Sequence, residues 1–194
     1  MSIADQLLLF IRITRSQRIA RRYFVVNGFD GALTMLGLLM GFYVSDQVAL
    51  SVAISVCLGA AVALGMSGLT SAYISETAER AHELKVLEEA MITDLGESAH
   101  GKAARLMPFL IAIINGLAPF LIALIIILPL ALGHWYPELI PKPVEYATVL
   151  AFIIIFLLGV FLGRISGHFW LWLGLKTLFI AFITTLLIYA ISPS

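Results

Sequence analysis

The sequence predicts an all-α integral membrane protein with five transmembrane helices. Its N-terminus is cytoplasmic and its second helix extends beyond the membrane. Three observations predict this. Hydrophobic residues make up 61% of the chain and charged residues 12%, against about 25% charged in soluble domains. Five apolar stretches, at about 23–43, 48–75, 106–132, 145–164 and 168–191, each reach the roughly 20 residues needed to span a bilayer. Finally, the basic residues lie on one side. Arg12, Arg15, Arg18, Arg21 and Arg22 precede helix 1. Arg80, Lys85, Lys102 and Arg105 lie between helices 2 and 3, and Arg164 and Lys176 around the turn between helices 4 and 5; only Lys142 is opposite. The positive-inside rule makes the basic side cytoplasmic, and five spans then place the C-terminus outside.

The arm 1–22 alternates Ile3, Leu7, Leu8 and Ile11 with Arg12, Arg15, Arg18 and Arg22. Such an arm can lie flat on an anionic leaflet or serve only as a basic flank that sets topology. Arginines, not a small-residue cleavage site, follow its apolar patch, so it does not read as a secretory signal.

Helix 1 holds Asp30, roughly 12 Å beyond Arg22 at 1.5 Å per residue. A charge at the bilayer centre costs on the order of 3 kcal/mol. A carboxylate there calls for an ion, a proton or a partner, and a structural ion pair with Lys176 is the competing explanation. Asn27, Asp30 and Thr34 fall at i, i+3 and i+7, on one face. Gly28 and Gly31 flank Asp30, which predicts backbone open to an ion, and Gly37-x-x-x-Gly41 predicts a close helix contact.

A four-residue turn with Ser45 or Asp46 as N-cap leads into helix 2. This helix carries Met66, Ser67, Thr70 and Ser71, with Gly65, Gly68, Ala72 and Ser75 as small residues for close packing. Met66 is either a soft metal ligand or packing filler. Cys57 has no second cysteine to pair with. The helical pattern continues past the membrane without Gly or Pro to Met91, giving a helix of about 65–70 Å from Asp46.

The segment 76–105 forms an acidic cytoplasmic unit. Glu76, Glu79 and Glu83 share one face. They either surround a hard or borderline divalent cation or form a solvated face paired with Arg80 and Lys85, as in Glu76–Arg80 at i, i+4. His82, His100, Asp94 and Glu97 are further potential ligands, in no tetrahedral zinc spacing. Helices 3 to 5 occupy 106–194. Pro137, Pro141 and Pro143 interrupt the loop after helix 3, where Trp135 and Tyr136 suit an interface. Helix 4 carries Gly159-x-x-x-Gly163-x-x-x-Gly167. There is no P-loop, nucleophile elbow or dinucleotide fingerprint, so neither enzymatic activity, a permanently bound cofactor nor a nucleic-acid partner is expected.

Four stretches together resemble the vacuolar iron transporter family: Asn27-Gly28-Phe29-Asp30-Gly31 with Gly37-Leu38-Leu39-Met40-Gly41; Gly59 to Glu76, especially Met66-Ser67-Gly68 and Ala72-Tyr73-Ile74-Ser75-Glu76; Asn115-Gly116-Leu117-Ala118-Pro119; and Gly163-Arg164-Ile165-Ser166-Gly167 with Gly174-Leu175-Lys176. They cover nearly the whole chain in order. The resemblance implies a homodimer that moves Fe²⁺ or Mn²⁺ out of the cytosol against protons, through a path between the subunits lined by first and second helices. Asp30 would be the translocating aspartate and Met66 would lie near the pathway methionine; Asn27 and Thr34 join the expected path because they share the Asp30 face. Glu76, Glu79, Glu83, Glu88 and Met91 would be a shortened remnant of the family's metal-capturing segment. The chain departs from the family where Leu69 follows Gly68 instead of a Glu. Two alternatives remain: a transporter of the same fold with another substrate, or a membrane protein that senses metal without transporting it.

Overall fold

The computed structural model describes residues 16–45, 48–167 and 169–191, with side chains from Arg21 onward. The described residues form five α-helices and no strands: α1 (Ser16–Val44), α2 (Leu50–Met91), α3 (Ala99–Trp135), α4 (Pro143–Ser166) and α5 (Trp170–Ile191). All five are long and apolar enough to cross a membrane. Residues 1–15, most of the expected amphipathic arm, lie outside the described residues. The rest of the arm is not separate: from Ser16 it is already helical and continuous with α1.

The second apolar helix and its acidic extension are one uninterrupted α2 of 42 residues, about 63 Å long. Its start differs from expectation. Ala49 occupies the N-cap with no side-chain hydrogen bond, whereas the Ser45 hydroxyl donates back to Gly41 O at 2.9 Å and so closes α1. Asp46 lies outside the described residues.

The third helix also starts earlier than its apolar run. It begins at Ala99 because Ser98 caps it, accepting from Gly101 N at 3.2 Å. The acidic helical segment 76–105 thus comprises the end of α2, the turn and the start of α3, the tip of an α2–α3 hairpin. The tip is held by carboxylates. Glu88 accepts from Leu95 N at 3.0 Å, and Asp94 from Gly96 N at 2.7 Å.

Between them Ile92 ends α2 in the left-handed region, φ 53° and ψ 41°. A β-branched residue there costs about 1–2 kcal/mol, and its side chain, 92% exposed, packs against little in return. Ile92→Gly should therefore stabilise the fold by about 1 kcal/mol, read as a higher unfolding temperature in detergent.

The bundle is built around α3, whose apolar window is 56% buried, against 17% for α2 and 11% for α5. α3 carries Pro108, Pro119 and Pro129 without breaking. Neighbouring helices can satisfy the backbone groups that such prolines free. α1 packs on α3, α4 and α5 but only slightly on α2, which leans almost entirely on α3. Met35, Leu36 and Leu39 of α1 meet Ile126 and Leu130 of α3 and Ile155 of α4 in a fully buried core.

Small residues decide where helices touch. A Cβ at Gly116 would lie 2.6 Å from Gly65 O, and one at Gly68 would lie 2.8 Å from Asn115 O. The α4–α5 hairpin is as tight: a Cβ at Gly163 would lie 2.7 Å from the Trp170 Cα, and Gly167 turns the chain at φ 73°. Gly41, by contrast, has nothing within 4 Å, and Gly37 meets only the end of Ile188. The Gly37–Gly41 stripe therefore makes no close helix contact among the described residues.

Candidate functional site

Where α1, α2 and α3 meet, the structure brings two asparagines and a backbone carbonyl together. Asn27 of α1 donates its side-chain amide to Tyr23 O at 2.8 Å and to the side-chain oxygen of Asn115 in α3. Asn115 in turn donates to Gly68 O of α2 at 2.8 Å. Gly68 and Gly116 permit this close approach, so the small residues set the polar geometry as well as the packing.

Asp30 stands one turn from Asn27 on the same helix face, and it is exposed on the bundle. No described residue gives it a hydrogen bond or an ion pair. The competing ion pair with Lys176 does not form: the Lys176 ammonium lies over the Trp172 ring, 5.6 Å from its centre. Thr34, a turn further, is half-buried. The expectation that Gly28 and Gly31 open the backbone to an ion is not met. A Cβ at Gly31 would lie 2.6 Å from Pro119 O, and one at Gly28 would lie 3.4 Å from Leu158, so both glycines are packing contacts.

Met66 is exposed on α2 and borders an open, apolar cleft of about 350 Å³ with Val62, Leu69, Ile113 and Leu117. Asp30 does not line that cleft.

At the basic end of the bundle the three glutamates have separate fates. Glu76 is the one buried charged side chain among the described residues, 5% exposed. It accepts from the Tyr23 hydroxyl at 3.1 Å and pairs with Arg80 at 3.5 Å. Arg80 also pairs with Glu83 at 2.8 Å, while Glu79 is exposed. Glu88 is committed to the hairpin tip, and Met91 is exposed beside it. His82 and His100 are exposed. No three His, Cys, Asp or Glu come together as a metal would require among the described residues. The Glu76–Arg80 pairing is the one anticipated for a paired face. The Tyr23–Glu76 bond is a polar tie between α1 and α2, which otherwise touch little.

Asn115, Tyr23 and Arg80 are the site residues that sequence reasoning did not single out for function. A signal for Asn115 existed: the chain has only two asparagines, Asn27 and Asn115, both in apolar helices. Compared with known protein families, with curated proteins and with solved structures, the chain finds no match.

Proposed function

We propose that this protein is a membrane transporter that exports a divalent metal ion, Fe²⁺ or Mn²⁺, from the cytosol in exchange for protons. In this reading the working unit is a homodimer in a prokaryotic cell membrane, and the path runs between the subunits past Asp30. The supporting observation is Asp30 itself: an intramembrane carboxylate on the outer face of the bundle, without a partner among the described residues. A cation, a proton or a second copy would relieve the cost of that charge. Asn27 and Thr34 on the same face add oxygen, which suits hard and borderline cations. The departure at Leu69 and the absence of a three-ligand group among the described residues favour a second reading, a transporter of the same architecture for a different cation.

Purified protein in proteoliposomes tests the first reading. Mn²⁺ or Fe²⁺ should cross only when a pH gradient drives it, and protons should move the other way. No metal flux, with another cation moving instead, would establish the second reading. The cytoplasmic glutamates have a test of their own. Under the metal reading, replacing Glu76, Glu79 and Glu83 together with Gln should weaken Mn²⁺ binding in calorimetry and slow transport most at low metal, because amides keep oxygen and lose charge. Unchanged affinity would assign the three to the Arg80-paired face.

A further inference from the structure

The hydrogen bonds between the two asparagines carry directional information. Gly68 O is a backbone carbonyl and can only accept. Asn115 must therefore turn its amide nitrogen to Gly68, which turns its oxygen toward Asn27. Asn27 must answer with its own nitrogen, and its second N–H goes to Tyr23 O, another obligate acceptor. Both N–H groups of Asn27 are thus used. Its carbonyl oxygen accepts from no described residue. Nor is that oxygen sealed in the interior, because the one enclosed side-chain polar atom without a partner among the described residues is Arg80 Nε.

We infer that Asn115 is a positioning residue: held by Gly68, and together with Tyr23 O, it fixes the amide of Asn27 so that the carbonyl oxygen, and not the NH₂ group, is the end left without a partner among the described residues, one helical turn from Asp30. Asn27 and Asp30 then offer acceptors only, and a cation passing that face of α1 meets two oxygen ligands and no competing donor. Turned the other way, Asn27 would leave an NH₂ group free on the residue one turn from Asp30, and a donor there repels a cation. The cation part of the inference rests on the transport reading above; the orientation does not.

Because the chain has two asparagines, labelling asparagine side chains with ¹⁵N gives two NH₂ groups to observe by NMR in detergent. Both should exchange with solvent at least about tenfold more slowly than a free amide. In Asn115→Leu, Asn27 should lose much of that protection. In Asn115→Asp it should keep it, because a neutral carboxylic acid can donate to Gly68 O and accept from Asn27. Freely exchanging amides in the unsubstituted protein would overturn the inference whether or not either variant folds.

The second arm is Mn²⁺ transport in proteoliposomes. Asn115→Leu should raise the half-saturating Mn²⁺ concentration about five- to tenfold, the size of one neutral hydrogen bond, with the maximal rate nearly kept. Asn115→Asp should restore it. A fall in maximal rate alone would mark Asn115 as merely structural and overturn its positioning role. Protected amides in a protein that carries no Mn²⁺ would support the orientation and sink the metal-transport reading instead.

Discussion

Asp30→Asn should abolish metal flux, or reduce it at least about tenfold, while the protein still folds and purifies as before. The amide keeps the shape of the carboxylate but can neither neutralise a divalent cation nor release a proton. No described residue depends on Asp30 for a hydrogen bond or ion pair, so its charge does not hold the bundle together. Removing an unpaired intramembrane charge, whose presence costs on the order of 3 kcal/mol, should even steady the protein. Proteoliposome flux set against thermal unfolding separates the two effects. Normal flux in Asp30→Asn would place the pathway elsewhere. A folding defect would show that Asp30 has a structural partner, which a second copy of the chain could supply.

The second large effect is expected at Gly31. An added Cβ would lie 2.6 Å from Pro119 O and 2.8 Å from its Cα, and both are backbone atoms of a helix held on three sides. Neither helix can give without disturbing the Asn27–Asn115 contact one turn away. Gly31→Ala should destabilise the bundle by about 1–3 kcal/mol, the usual range for overpacking. Gly41→Ala is the control on the same helix. It has open space around it, so in detergent it should be neutral or slightly stabilising through helix propensity. Equal melting temperatures for the two variants would contradict the close α1–α3 contact.

The five spans were legible in the sequence because length and hydropathy alone decide them. The long α2 was legible because no Gly or Pro interrupts it. What could not be read was which helices touch. Gly31 looked like access for an ion beside Asp30, but it is the place where Pro119 presses in; local sequence holds no trace of a residue 88 positions away. The start of α3 was hidden for a related reason. Ala99 to Arg105 is not apolar, and the cap at Ser98 matters only once α2 lies beside it. At the site, the composition of the glutamate face was visible, as was the option that Arg80 neutralises it. That Glu76 alone is buried depends on Tyr23, which comes from a different helix.

The Asn27–Asn115 bond also bears on how the chain enters the membrane. Its two partners are 88 residues apart. At about 5–20 residues per second, α3 follows α1 out of the ribosome by roughly 4–18 seconds. During that interval α1 has neither Asn115 nor the Pro119 surface to pack on, and α2 offers it little. A nascent α1 carrying Asn27 and Asp30 therefore lacks its α3 contacts until the third helix has been made. The packing of α1 is thus completed only with the third helix, and a chain stalled before Asn115 would leave α1 without its partners on α3.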